Sequence, residues 1–276
     1  MIKNCIAIHD LCCYAKSSLT VVIPTLESLE VEVLPLPTAI LSSQSDGFQD
    51  FYIKDLTTEL ENVLNVWEKE TITCDCIYSG FLASAEQVKI VERVINTHKD
   101  EKPLIVIDPV LGDNLCPYTS IDQDLINSMK YLISLADVIC PNATEAALLL
   151  GENPKKFYTD EEIESFLNRL VLMGPKKVVI TSVLAKGEDT VATVAISNNK
   201  IHYHYNNKIE ASYPGTGDLF ASVLIGLLLK GHEFTKSCNI CSTLCSKALV
   251  NTKALGYKRR HGISIASIMS NLNNFI

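Results

Sequence analysis

The chain has 276 residues, 47% hydrophobic and 20% charged. At ~150 residues per domain that size admits two small domains or one large α/β domain, and the composition excludes a disordered chain. Its 24 basic residues against 32 acidic ones give a formal charge of -8, the wrong sign for neutralising a phosphate backbone, so no nucleic-acid partner is expected.

The apolar run after Met1-Ile2-Lys3-Asn4 is too short for a signal peptide, and Leu219 to Leu229 falls well short of the ~20 apolar residues that span a bilayer. A soluble, cytoplasmic protein with no membrane partner is expected. Its ten cysteines then read as reduced thiols. Cys238, Cys241 and Cys245 share one face of a helical segment but lack a fourth zinc ligand, which Cys74 or Cys76 would supply only by a long-range coincidence, so buried, inert thiols are expected. No repeat, low-complexity tract or Gly/Ser-rich linker divides the chain, which predicts one domain over residues 1–276.

Short apolar runs alternate with segments of helical spacing. In chain order these are a strand at Cys5 to Ile8, a helix from Ser18 to Leu29, a strand at Val31 to Leu36, a strand at Cys76 to Ser79 and a helix from Ala85 to His98. Strands at Leu104 to Ile107, Val138 to Cys140 and Val178 to Thr181 follow. Continuous apolar strands between helices predict a mostly parallel sheet covered on both faces, with ligands beyond the strands' C-terminal ends. Thr190 to Ile196 and Lys200 to Tyr205, joined by Ser197-Asn198-Asn199, read as an antiparallel hairpin on one edge. Leu219 to Lys230 reads as a buried helix, and a last helical region runs near Thr235 to Val250.

Three strand or helix ends concentrate polar chemistry. In Gly215-Thr216-Gly217-Asp218 two glycines let the backbone approach an anion, and the following helix start offers unpaired N–H groups and a partial positive charge. The same residues would also make a turn with Asp218 at a helix N-terminus. Asp108-Pro109-Val110-Leu111-Gly112-Asp113 puts two carboxylates just past a strand, suited to Mg²⁺ or to a solvated turn. Asn142 with Glu145 three residues on makes a capping box, and a capping Glu there remains available to a metal-bound water.

In this order, on one sheet edge, the three motifs resemble the ribokinase-like superfamily of small-molecule kinases, and within it the pyridoxal and pyridoxamine kinases. The likeness runs from Ile6-Ala7-Ile8-His9-Asp10 and Ser18-Leu19-Thr20, through Pro35-Leu36-Pro37-Thr38-Ala39 and Ser79-Gly80-Phe81-Leu82, to the helix after Asp218. It implies a three-layer α/β/α ribokinase-like fold and transfer of phosphate from ATP to the 5′-hydroxymethyl group of a B6 vitamer (pyridoxal, pyridoxamine or pyridoxine) in B6 salvage. Asp218 would be the catalytic base, and the amides of Gly215, Thr216 and Gly217 the anion hole. Asp108, Asp113 and, through water, Glu145 would hold Mg²⁺. Asp108, Asn142, Thr181, Ser182 and Tyr118, the last on a closing loop, would serve ATP. Asp10, Thr38, Ser43 and Phe81 would line the pyridine ring. The likeness further implies a homodimer and admits a monovalent cation.

Departures from the family pattern fall at the substrate side. Phe81 stands where many relatives have tyrosine, so ring stacking survives without a phenolic hydrogen bond. Cys12-Cys13-Tyr14-Ala15-Lys16 replaces a smaller, glycine-containing loop, and Ser42 to Asp46 diverges too. Cys116 lies in the expected lid, where a thiol could add reversibly to an aldehyde substrate. Lys186 could reach a phosphate, His202 and His204 share a strand face, and Lys258-Arg259-Arg260-His261 reads as a solvated basic turn. Two rivals remain. One is a hydroxymethylpyrimidine kinase, whose relatives typically carry cysteine at the position of Asp218. The other is a non-catalytic vitamer-binding protein.

Overall fold

The computed structural model describes residues 2–44, 47–184, 187, 189–272 and 275. Lys186, Ser45 and Asp46 lie outside the described residues.

From the N-terminus the elements are β1 (Lys3–Cys12), α1 (Leu19–Glu27), β2 (Val31–Leu41), β3 (Ile53–Asp55), α2 (Thr57–Trp67), β4 (Cys76–Ser79), α3 (Ala85–Thr97) and β5 (Leu104–Ile107). A small ribbon of β6 (Gly112–Asp113) and β7 (Cys116–Pro117) follows, then α4 (Gln123–Ile133), β8 (Val138–Ile139), α5 (Ala143–Leu150) and α6 (Asp160–Leu172). The chain continues through β9 (Lys177–Val183), β10 (Thr190–Ser197), β11 (Lys200–Asn207), α7 (Thr216–Leu229), α8 (Phe234–Ala254) and α9 (Met269–Leu272).

The main sheet runs β11-β10-β9-β8-β5-β4-β1-β2-β3. Strands β9 to β2 in that order are parallel, β10 and β11 form the predicted antiparallel hairpin, and β3 adds an antiparallel strand at the other edge. Asn198 and Asn199 turn the hairpin with φ of 51° and 60°, the left-handed pair that a two-residue turn of this twist needs and that Asn tolerates. Alternate side chains of each strand enter separate layers. Ile6, Ile8, Ile77 and Ile107 pack beneath α2 to α6, whereas Cys5, Ala7, Tyr78 and Val106 pack beneath α1, α7 and α8. Burying side chains of this size contributes about 1.5–3 kcal/mol each, before entropy, which is why the strands read as unbroken apolar runs.

Strand β1 has β2 on one side and β4 on the other, so the chain leaves it in one direction and returns to its opposite flank. That reversal opens a crevice at the strand's C-terminal end. There β1 advances two residues, His9 to Leu11, while β2 advances three, Pro37 to Ile40. The irregularity falls at Asp10 on β1 and at Thr38 and Ala39 on β2, and bulges are common beside active sites. β1 therefore extends past the expected Ile8, and α7 begins at Thr216 rather than Leu219. Helices α2, α4 and α6, which bury only a narrow stripe each, were not anticipated.

Candidate active site

Gly215 is the N-cap of α7, with φ +87°. A β-carbon there would stand 2.7 Å from the Lys16 carbonyl oxygen, so both the turn and the close approach exclude a side chain. Thr216, Gly217 and Asp218 form the first turn, whose free amides point out of the helix end. The Thr216 hydroxyl donates to the Tyr213 carbonyl at 2.7 Å, so its side chain is turned back onto the loop before the helix. Asp108 borders the same space, its Oδ2 lying 3.9 Å from where a Gly217 β-carbon would be.

Asp218 is buried and held at both oxygens. The Ser18 N–H donates to Oδ2 at 2.6 Å, and His9 Nε2 lies 2.9 Å from Oδ1. His9 Nδ1 in turn lies 2.8 Å from Asp10 Oδ1. The backbone N–H of Asp10 also approaches Nδ1 at 2.9 Å, but a carboxylate oxygen at 2.8 Å needs a proton on the shared contact. Burial works against a charge on His9, and Asp218 and Asp10 outweigh it, raising the imidazole from 6.5 to about 10. Asp10 is held below the usual carboxylate range: burial opposes this, and the hydrogen bond and charge of His9 overcome it.

A second acidic group lies across the crevice. Asp108 is raised to about 7 by burial and then by the charge of Asp218, with His9 opposing. Glu145 is raised well above its usual range by burial and then by Asp108, although its oxygens accept N–H groups of Asn142 at 2.8 Å and Leu111 at 3.3 Å. Asn142 completes the predicted capping box, accepting from Glu145 N at 3.0 Å, and its Nδ2 donates to the Gly112 carbonyl at 2.9 Å. The β6–β7 ribbon is thereby pinned to the start of α5. Asp113 sits on that ribbon, accepting from the Asn114 backbone N–H at 2.8 Å. Tyr118 follows it, its phenol pushed up by burial and by Glu145 and Asp113.

Thr181 meets Asn142 through a bridge between strand ends. Ser182 adopts φ +59°, a left-handed strain for a non-glycine residue beside the crevice. On the opposite flank the Thr38 hydroxyl donates to the Phe81 carbonyl at 2.9 Å, and the Phe81 N–H lies 3.3 Å from His9 Nδ1. Asp10 and Asp218 are thus joined through His9, and Thr38 is held beside them by the Phe81 carbonyl. Ser43 is buried in the loop after β2. The Cys12 thiol donates to Asp10 Oδ2 at 3.2 Å and accepts from Ser17 at 3.1 Å, so the divergent loop packs onto Asp10.

Other sequence features resolve elsewhere. Cys238, Cys241 and Cys245 are buried, as expected. The basic turn at Lys258–His261 is a brace: the Lys16 N–H donates to the His261 carbonyl at 3.1 Å, Gln44 donates to the Arg260 carbonyl at 3.2 Å, and Arg260 lies over Phe48. Cys74, His98 and Glu101 bring potential ligand atoms within 4.8 Å of one another, beside a cavity of about 150 Å³ at the strands' N-terminal end. That cavity is remote from the crevice, and both His98 nitrogens already face carbonyl oxygens, of Val94 at 2.8 Å and Ile72 at 3.0 Å. His9, Ser18 and Gly80 are the site residues to which sequence reasoning gave no role. The signal for His9 was an ionisable pair closing an otherwise apolar strand.

A mostly parallel sheet, a crevice at its switch point and a Gly-Thr-Gly-Asp helix start facing buried carboxylates define a ribokinase-like kinase. The chain belongs to the phosphomethylpyrimidine kinase family, whose pattern matches residues 19–263, and its relatives include pyridoxal kinases. It is 29% identical to the pyridoxal kinase of Dictyostelium discoideum over 240 residues, 81% of this chain and 76% of that one. A Bacteroides thetaiotaomicron protein solved in an orthorhombic form with pyridoxal superposes with a TM-score of 0.93 at 38% identity, over 99% of this chain and 96% of that one. The pyridoxal kinase of Lactobacillus plantarum gives 0.90 at 27% identity, over 99% and 97%.

Proposed function

We propose that this kinase transfers the terminal phosphoryl group of ATP to the 5′-hydroxymethyl group of a B6 vitamer. The observation that carries the reading is Asp218, an acceptor fixed at both oxygens on the first turn of a helix whose Gly215 cap leaves the adjoining amides open. As the alcohol oxygen bonds to the terminal phosphorus and the bond to the β-phosphate oxygen breaks, Asp218 takes the alcohol proton. The amides of Gly215, Thr216 and Gly217 oppose the charge spread over the transferring group. Such catalysis is chiefly positioning and electrostatics.

Two buried carboxylates, Asp108 and Glu145, each pushed up by burial and by neighbouring acid, suit a divalent cation. Asp108, Asp113 and, through water, Glu145 would hold Mg²⁺, which supplies positive charge against the phosphates when bound. Asn142, Thr181, Ser182 and Tyr118 serve the nucleotide. Asp10, Thr38, Ser43 and Phe81 serve the vitamer, with Phe81 giving a stacking face and no phenol. The pyridoxal in the Bacteroides relative supports this ring class.

A hydroxymethylpyrimidine acceptor is the second reading, favoured by the family's description and opposed by an aspartate at position 218. A non-catalytic vitamer-binding protein is a third, motivated by the altered Cys12–Lys16 loop. The test is an ATP-consumption assay with pyridoxal, pyridoxamine, pyridoxine and hydroxymethylpyrimidine, run beside Asp218→Asn. Vitamer-dependent turnover that falls at least about 100-fold in the variant is expected from loss of a general base. Turnover with hydroxymethylpyrimidine alone would replace the substrate, and binding without turnover in either protein would replace the activity.

A further inference from the structure

We propose that His9 is a positioning residue for phosphoryl transfer: clamped between Asp10 and Asp218, it fixes the rotamer of the Asp218 carboxylate and ties it to the vitamer flank of the crevice. The inference rests on the reading of Asp218 as the base. Four observations carry it. First, the ring spans two carboxylates from opposite ends of the chain, at 2.8 and 2.9 Å, and the His9 side chain is 2% exposed, so its donors are spent inside the site rather than on solvent. Second, the other oxygen of Asp218 takes the Ser18 N–H at 2.6 Å, and Ser18 reaches that position with φ +56° and ψ -138°, a conformation foreign to side-chain-bearing residues. Strain there is spent on aiming one N–H at one carboxylate oxygen.

Third, room for the imidazole is made by Gly80. A β-carbon at that position would lie 2.0 Å from His9 Cδ2 and 2.2 Å from Nε2. The groups facing the ring are Asp10 on its own strand, Asp218 from α7, Tyr78 from β4 edge-on at 6.1 Å, and Asp108 from the end of β5, whose charge His9 opposes. Among these the imidazole is the one group able to offset acid, which suits a device that must keep a carboxylate oriented beside other carboxylates. Fourth, His98 shows what a buried structural histidine looks like in the same molecule: both nitrogens meet backbone carbonyls. His9 instead holds two carboxylates, one of them the proposed base.

The flank it ties in is where the ring of the substrate would lie. The Thr38 hydroxyl donates to the Phe81 carbonyl, Phe81 directly follows Gly80, against which the ring packs, and Asp10 is packed under the Cys12 thiol. A group that settles against Asp10, Thr38 and Phe81 therefore presses on the same ring that orients Asp218.

The test compares His9→Ala, His9→Asn and His9→Gln in steady-state kinetics with the accepted vitamer. A Gln amide reaches the Nε2 position and can donate to Asp218, whereas an Asn amide reaches only towards Asp10. Loss of orientation predicts that Ala and Asn lower kcat by about 100-fold, the scale of an ångström-sized misplacement, with KM for both substrates changed less than about threefold, and that Gln recovers at least tenfold over Ala. Equal rates for Gln, Asn and Ala, or a rise in KM with kcat preserved, would overturn the proposal. ¹⁵N NMR of the folded wild-type ring gives a readout independent of turnover: both nitrogens protonated at pH 8 are expected, and a singly protonated ring overturns the clamp. Unaltered turnover in Asp218→Asn with a doubly protonated ring would sink the reading of the base while leaving the clamp in view.

Discussion

Replacing Gly80 by alanine isolates the steric side of the clamp. The backbone there does not require glycine, since its φ lies outside the left-handed range, so the penalty is purely one of contact. The new β-carbon would stand 2.0 Å from His9 Cδ2, 2.2 Å from Nε2 and 2.7 Å from Cγ, against a usual carbon contact of roughly 3.5 Å. The ring cannot yield as a flexible chain end would, because both its nitrogens are engaged at 2.8 and 2.9 Å. A shift of about 1.5 Å breaks at least one charged hydrogen bond, a loss of about 1.5–3 kcal/mol, and leaves overpacking of about 1–3 kcal/mol. The sum, about 2.5–6 kcal/mol, corresponds to a drop of roughly 5–12 °C in Tm for a chain of this size. Thermal melts of wild type, Gly80→Ala, His9→Ala and the double variant measure it as a cycle. With the imidazole gone, the methyl group enters the vacated space, so the cost of Gly80→Ala should fall below about 1 kcal/mol. Equal costs in the two backgrounds would refute the argument.

Gly215→Ala combines φ +87° with a 2.7 Å approach to the Lys16 carbonyl, and should abolish turnover and lower stability by more than about 1 kcal/mol, checked by assay and melting. Asn142→Ala removes a helix cap worth about 1 kcal/mol together with the bond to Gly112, so KM for ATP should rise more than KM for the vitamer. The metal-free protein should lose stability as pH rises. Asp108, raised from 3.8 to about 7, holds a proton in the folded state that the unfolded chain releases, and stability drains across that window. His9, raised from 6.5 to about 10, contributes stability that is full below 6.5 and is lost on passing through 10. Tm followed from pH 5 to 10 should fall throughout, less steeply above pH 7 in His9→Ala and below pH 7 in Asp108→Asn. A Tm that rises between pH 7 and 10 in wild type would contradict the assignment.

The order of strands and helices was legible because burial on two faces forces continuous apolar runs, and the Asn198-Asn199 turn because few residues tolerate its dihedral angles. Helix α6 was equally written, in the capping box of Thr159 and Glu162 and in Ile163, Phe166, Leu167 and Leu170 at helical spacing, although it was not anticipated. Positions such as Asp218, Asp108 and Asn142 stood out because glycines or strand ends mark them locally. His9 did not, since its meaning lies in partners that no local spacing reveals: Asp218 is 209 positions away, and the room for the ring is made by a missing side chain at Gly80. The basic turn at Lys258–His261 is solvated as read, with Lys258, Arg259 and Arg260 exposed, but for the same reason its carbonyl bonds to the Lys16 and Gln44 loops were not legible.

The bonds from His9 and Ser18 to Asp218 also set an order of events during synthesis. The carboxylates at 108 and 145 and the strand ends beside them are made well before Asp218 leaves the ribosome, yet the oxygens of Asp218 find their donors at His9 and Ser18, some 200 positions earlier. Closing so long a loop is a late and entropically costly step of folding. A growing or truncated chain would accordingly carry much of the crevice with no fixed base in it, so the machinery for moving phosphate is assembled only when the sheet's first strand meets one of its last helices.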